Sequence, residues 1–261
     1  MTPADVTSVR YVLMDIDDTL TIRGKLLAQS FAALWKLKEA DLKVIPVTGR
    51  SAGWCDCIVR QWPVDGIIGE NGALAFWEEL PDAGMKTMFH PSAVKNDHPV
   101  LQQVRETALS EIPGLRVAKD QFTRLFDIAL DFAEEDPPLP ISDAEKVLQI
   151  ACKLGAVGKI SSIHVNVWMG DYDKLSMAER FLTQRFGWQG DLNEVVFVGD
   201  SPNDEPMFAR FPLACAVANI RRYEGMIKHF PAFAAEQEGG KGFAEITQIL
   251  LGTKKMSRFQ N

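Results

Sequence analysis

The stretch Tyr11-Val12-Leu13-Met14-Asp15-Ile16-Asp17-Asp18-Thr19-Leu20-Thr21 decides the fold. Its first four residues form a short continuous apolar run, the signature of a strand buried on both faces of a parallel sheet. The run ends in Asp15, Asp17 and Asp18. Carboxylates this close repel one another unless a cation sits among them. In open α/β sheets, ligands bind beyond the carboxyl ends of the strands, and these acids lie at such an end.

Working outward, "SFAALWKLKEA" (30–40) has helical spacing, "LKVIPVTGR" (42–50) gives a second strand ending at Thr48-Gly49-Arg50, and "DGIIGENGA" (65–73) gives a third, stopped by the turn dipeptide Asn71-Gly72. Strands alternating with helices predict a parallel α/β sheet. From 82 to 170 the chain changes character, with two helix candidates (99–112 and 142–154) and two alternating strands, "LFDIALDF" (125–132) and "SSIHVNVW" (161–168). The parallel pattern then returns with helix 173–186, strand 194–200, helix 203–211, strand 213–218 and a last helix from Gly242. The expectation is an α/β fold: a Rossmann-like parallel core (1–81 and 171–261) interrupted by an inserted α+β domain (82–170).

The polar residues at the strand ends are Asp15, Asp17 and Thr19, then Thr48, then Asp200, Asn203 and Asp204. Converging carboxylates with oxygen ligands suit a hard divalent cation, and Mg²⁺ is the usual one beside phosphate. "DIDDT" (15–19), "VTGR" (47–50), Lys174 in "DYDKL" and "GDSPND" (199–204) resemble, in order, the four motifs of the haloacid dehalogenase-like superfamily, in the form of its Cof-like, class IIB branch. "ENGA" and "KGFAEI" are similar to that branch too, and the resemblance covers essentially the whole chain.

That resemblance implies a phosphatase. Asp15 is the expected nucleophile and Asp17 the acid–base residue. Mg²⁺ is expected among the Asp15 carboxylate, the Asp17 backbone carbonyl and Asp200. Thr48, Gly49, Lys174 and Asn203 are expected to bind phosphoryl oxygens, and Asp204 to support Lys174 or the metal. Aspartate at position 17 separates the chain from pump ATPases and from dehalogenases. A phosphomutase of the same superfamily, or a phosphosugar-binding regulator without turnover, is the alternative. The insertion is expected to act as a cap. Its strands alternate an apolar face (Phe126, Ile128, Leu130, Phe132; Ile163, Val165, Val167) with a polar one, so Asp127, Asp131, His164 and Asn166 are candidates to meet the substrate. Asn71-Gly72 reads as a turn, Arg50 as a structural or rim charge, and the Pro-rich stretch of the insertion as a plain loop.

Composition sets the boundaries of this reading. In 261 residues, 46% are hydrophobic and 24% charged, enough for a real core. A net charge of −7 disfavours nucleic-acid and anionic-membrane partners, and the small phosphorylated metabolite expected as partner is what the resemblance implies. "MTPADVTSVR" carries no apolar signal core, and no run approaches a membrane span. Cys55, Cys57, Cys152 and Cys215 lack zinc spacing and read as reduced thiols of a cytoplasmic protein.

Overall fold

The computed structural model describes residues 6–79 and 84–258, with side chains through Gly252. In chain order the elements are β1 (Tyr11–Met14), the hairpin β2 (Thr21–Ile22) and β3 (Lys25–Leu26), α1 (Ala28–Glu39), β4 (Lys43–Pro46), α2 (Ala52–Gln61), β5 (Ile67–Gly69), β6 (Leu74–Glu79) and β7 (Gly84–Phe89). Then follow α3 (Pro99–Glu111), β8 (Arg116–Val117), β9 (Asp127–Asp131), α4 (Ile141–Lys153), β10 (Val157–Ile160) and β11 (His164–Trp168). The chain finishes with α5 (Lys174–Phe186), β12 (Val195–Gly199), α6 (Glu205–Arg210), β13 (Leu213–Ala216), β14 (Phe233–Ala234) and α7 (Gly239–Arg258).

The central sheet is parallel, in the order β14-β13-β12-β1-β4. Leu13 stands level with Ile45 on one side and Phe197 on the other. Every residue of β1 is buried, because helices cover both faces. Val12, Met14, Val44 and Val196 pack with Leu34, Leu37, Ile58 and Phe243 on one face. Tyr11, Leu13, Ile45 and Phe197 pack with Phe181, Leu182 and Met207 on the other. A parallel bridge from Val47 to Ile68 brings in β5, which continues antiparallel into β6 and β7. The expected limit at 81/82 lies outside the described residues, and β7 pairs with β6, on the core side.

The inserted α+β unit is an antiparallel sheet in the order β10-β11-β9-β8. Helices α3 and α4 cover one face, where Leu101, Val104, Val147 and Ile150 pack on Ile128, Leu130, Val165 and Val167. Phe126 instead joins the core cluster, since the chain enters β9 from the core side. The other face carries Asp127, Asp131, His164 and Asn166, all buried.

Two local expectations shift. Helix 203–211 resolves into a 3₁₀ turn (Pro202–Asp204) followed by the short α6, with Pro206 at the start of the helix, where its missing N–H costs nothing. The last helix starts at Gly239, three residues before Gly242. Gly240 acts there as a packing residue and not as a helix breaker: a Cβ at that position would strike the Ser30 hydroxyl and the Leu20 carbonyl. All four cysteines are free. Among the described residues no helix is long and apolar enough to cross a membrane.

Candidate active site

Strand β1 delivers Asp15 to the carboxyl edge of the sheet, where its N–H continues the ladder onto the Val198 carbonyl at 2.9 Å. Strand β12 delivers Asp200 alongside. Helix α5 supplies the counter-charge. Its N-terminus is fixed by a capping box, with Asp173 accepting from the Ser176 N–H at 2.8 Å and the Ser176 hydroxyl accepting from the Asp173 N–H at 3.0 Å. Lys174 is therefore the first helical residue. A buried ammonium at a helix N-terminus is unfavourable on two grounds, desolvation and the helix dipole. Two carboxylates offset both: Lys174 Nζ donates to Asp15 Oδ1 and to Asp204 Oδ1, each at 2.7 Å.

Asp204 is fully engaged. Its second oxygen, Oδ2, accepts from the Asp200 N–H at 3.0 Å and the Ser201 N–H at 3.3 Å. Gly199 makes room for this, since a Cβ there would collide with the Asp204 carboxylate. Asp200 is different. Oδ1 accepts from the Thr19 hydroxyl at 3.1 Å, but Oδ2 is buried without a partner. Oxygens of Asp15, Asp200 and Asp204 lie within 4.8 Å of one another. Burial pushes the Asp15 carboxyl up to about 7, with Lys174 opposing and Asp204 and Asp17 adding to the rise. Burial, then Asp15 and Asp204, hold Asp200 well above the ordinary carboxylate range. Burial alone would lower the Lys174 ammonium, yet Asp15 and Asp204 hold it above its ordinary value. This corner is short of positive charge, and an oxygen-coordinating divalent cation fits the unpartnered Asp200 oxygen.

The remaining candidates surround this corner. Thr48 is buried, and its hydroxyl accepts from the Arg50 N–H at 3.1 Å. Gly49 faces Asn71 and Asn166, each about 3.2 Å from where a Cβ would stand. Asn203 donates to Asn71 Oδ1 at 3.4 Å and accepts from the Ser201 hydroxyl at 2.9 Å. Asn71, read as a turn residue, has left-handed φ (54°) and a buried amide nitrogen with no partner. Asp17 is held by Arg50, whose Nε and Nη2 donate to its two oxygens at 2.8 and 2.7 Å.

The polar face of the inserted sheet turns to the core, but its residues are committed to protein partners. Asp127 accepts from Arg124 Nη1 at 2.9 and 3.1 Å and from the Asn166 amide at 2.8 Å. The same Arg124 nitrogen donates to the Gly49 carbonyl at 2.9 Å, and Arg124 also pairs with Asp120. Asp131 pairs with Arg116 at 3.3 Å, and His164 Nε2 lies 2.8 Å from Glu134 Oε2. Glu70 joins the two units by accepting from the N–H groups of Ala52, Leu125 and Phe126 at 3.0, 2.9 and 2.7 Å. Arg50, Glu70, Arg124 and Glu134 were not singled out as site residues by the sequence. Arg50 and Glu70 carried a signal, their places in "VTGR" and "ENGA".

A family model described as sucrose-6F-phosphate phosphohydrolase matches residues 9–247. No curated relative matches the chain. Among solved structures, a HAD/COF-like hydrolase from Plasmodium vivax is similar with a TM-score of 0.72 at 15% identity, over 96% of this chain and 98% of that one. A Thermoplasma acidophilum protein gives 0.69 at 20% identity over 93% and 98%. The sucrose-phosphatase of Synechocystis, in complex with sucrose and phosphate, gives 0.61 at 15% over 92% and 97%. At these identities the structures establish the shared fold. The family match spans most of the chain, so the protein belongs to the sucrose-6F-phosphate phosphohydrolase family and is a phosphoric monoester hydrolase of the haloacid dehalogenase-like superfamily.

Proposed function

We propose that the protein is a Mg²⁺-dependent phosphatase that hydrolyses a small phosphorylated metabolite, a sugar phosphate or related monoester, through an aspartyl-phosphate. The observation that carries this reading is the corner where Asp15, Asp200 and Asp204 converge beside a single ammonium that pairs only with Asp15 and Asp204, leaving one buried Asp200 oxygen unpartnered. Asp15 and Asp200, with the Asp17 backbone carbonyl, would hold the cation, while Asp204 is occupied by Lys174 and two N–H groups. Bound there, Mg²⁺ would offset the repulsion between an anionic nucleophile and an anionic phosphate.

The chain's own residues carry the chemistry. Asp15 attacks phosphorus, the bond to the leaving oxygen breaks, and Asp17 gives that oxygen its proton. Asp17 then takes a proton from water as the water attacks the aspartyl-phosphate. Lys174 holds Asp15 and meets phosphoryl oxygens, with Thr48, the Gly49 backbone and Asn203 around them. The inserted unit acts as the cap. Its close seat on Gly49 and the loop after β4 limits the leaving group to a small one and keeps water out. The Synechocystis relative carries sucrose and phosphate, which supports a sugar phosphate as the class.

The test is phosphate release from a panel of glucose 6-phosphate, fructose 6-phosphate, mannose 6-phosphate, glycerol 1-phosphate and p-nitrophenyl phosphate, with Mg²⁺ and with EDTA. Turnover of at least one sugar phosphate, lost in EDTA and restored by Mg²⁺, is the expected result. Undiminished turnover in EDTA, or none on the whole panel, contradicts the reading.

A further inference from the structure

An unbroken chain of polar side-chain contacts joins Asp17 in the core to β11 in the cap. Arg50 grips Asp17 with Nε and Nη2, and its remaining terminal nitrogen, Nη1, donates to Glu134 Oε1 at 2.9 Å. The other Glu134 oxygen lies 2.8 Å from His164 Nε2. Glu134 is itself built in. Its N–H donates to Asp131 Oδ1 at 2.8 Å. Arg116, which pairs with Asp131, also donates to the carbonyls of Glu135, Asp136 and Pro137 at 2.6, 3.2 and 3.3 Å. Two of the polar roof residues, Asp131 and His164, thus hold one acidic arm. The Arg50 guanidinium also lies over the Trp54 ring, 5.0 Å from its centroid, which limits its tilt.

We propose that Glu134 is a positioning residue: reaching across from the cap through Arg50, it sets the carboxylate of Asp17 for proton transfer to the leaving oxygen. This rests on the reading of Asp17 as the acid–base residue. Arg50 is the only type of side chain suited to the bridge. Its planar fork can hold one carboxylate bidentately and still present a nitrogen to a second, which the point charge of a lysine cannot do. Asp17 opens a turn, and its carboxylate depends on this grip for its direction. The grip depends in turn on Glu134, so the acid is aimed only with the cap in place. Misplacing a catalytic group by about 1 Å can cost on the order of 10²-fold in rate.

A simple latch between cap and core predicts something different, and leaving-group chemistry separates the two. An alkoxide cannot leave without a proton, whereas p-nitrophenolate leaves without one. The experiment is first-turnover leaving-group release by quenched flow, with the fastest alkyl phosphate of the panel above and with p-nitrophenyl phosphate. The variants are Glu134→Ala, Glu134→Gln, Arg50→Lys and Asp17→Asn, each checked for folding by circular dichroism. Glu134→Ala and Arg50→Lys are expected to slow alkyl release ~10-fold or more while p-nitrophenolate release changes less than about 3-fold. Glu134→Gln should recover most of the alkyl rate, because its amide oxygen still accepts from Arg50. Equal slowing of both esters in Glu134→Ala and Arg50→Lys overturns the proposal in favour of a latch, and no slowing of either overturns it outright. Asp17→Asn separates the two levels. If it keeps the alkyl rate, the acid–base reading itself is wrong. If it loses that rate while Glu134→Ala does not, only the positioning role falls.

Discussion

Two buried charge clusters face each other across the cleft, and they are finished differently. In the core corner, three carboxylates converge, two of them share the Lys174 ammonium, and an oxygen of the third, Asp200, is left with no partner. In the cap roof, Arg124 spends its guanidinium on Asp120, Asp127 and the Gly49 carbonyl, and both Asp127 oxygens are taken. A buried polar group left unsatisfied costs about 1–3 kcal/mol, and a cation bound at the open Asp200 oxygen would recover that cost while relieving the repulsion from Asp15 and Asp204. The difference supports the proposed division of labour: the corner with the open Asp200 oxygen is where a cation would bind, and the fully paired Arg124–Asp127 cluster ties the inserted unit to the core at Gly49.

The largest expected effect breaks the corner at its proposed nucleophile. Asp15→Asn should lower phosphate release to under a few per cent of wild type, measured with Mg²⁺ on the best ester and with deamidation excluded by mass spectrometry. A folded variant that retains more removes Asp15 from the centre of the account. Next comes Asp17→Asn, which takes away the proton carrier and leaves the backbone carbonyl. It should cost about 10²- to 10⁴-fold in kcat for an alkyl phosphate, with Mg²⁺ affinity reduced far less than in Asp200→Ala. Equal loss of Mg²⁺ binding in the two variants would make the Asp17 side chain a metal ligand.

The corner was far more legible than the roof. Asp15, Thr48, Lys174 and Asp200 follow strands or open a helix, and strand ends announce themselves by an apolar run that stops at a polar residue. The alternation of β9 and β11 also placed Asp127 and Asn166 on one face, with Ile128, Leu130, Val165 and Val167 on the other. What those polar residues touch was not readable. Arg124 and Glu134 are single charges without period or motif, and Glu70, although it opens "ENGA", gives no hint of its partners. Glu70 finds Leu125 and Phe126 from 55 and 56 positions away, and Arg50 finds Glu134 from 84. Only tertiary folding makes those pairs. Phe126 shows the same limit: its parity put it on the dry face of the inserted sheet, but the path of the chain puts it in the core cluster.

Breaking the roof should therefore cost stability before it costs selectivity. Asp127→Ala strips Arg124 of one buried partner and the Asn166 amide of its acceptor. The expected loss is about 3 kcal/mol in urea unfolding, with both alkyl and nitrophenyl esters affected alike. Unchanged stability with a selective loss on the sugar phosphate would turn Asp127 into a substrate-reading residue and erase the contrast. The smallest effect concerns the bridge between the two regions. The hydrogen bond from His164, and then Arg50, hold the Glu134 carboxyl down at about 2 against its ordinary 4.5. A depressed folded-state value stabilises above pH 4.5 and is lost as pH falls through about 2. Discounted for partial exposure, wild type should exceed Glu134→Gln by about 1–2 kcal/mol at pH 6, and the gap should close as pH falls below 4.5. A gap that is constant with pH would mean that the Glu134 charge does not contribute.

The central claim is that the unfinished corner is completed by a divalent cation, and calorimetric titration of Mg²⁺ tests it most directly. Wild type should show one saturable site, and folded Asp200→Ala should show none. Equal binding by both proteins, or no binding by wild type, would contradict the account.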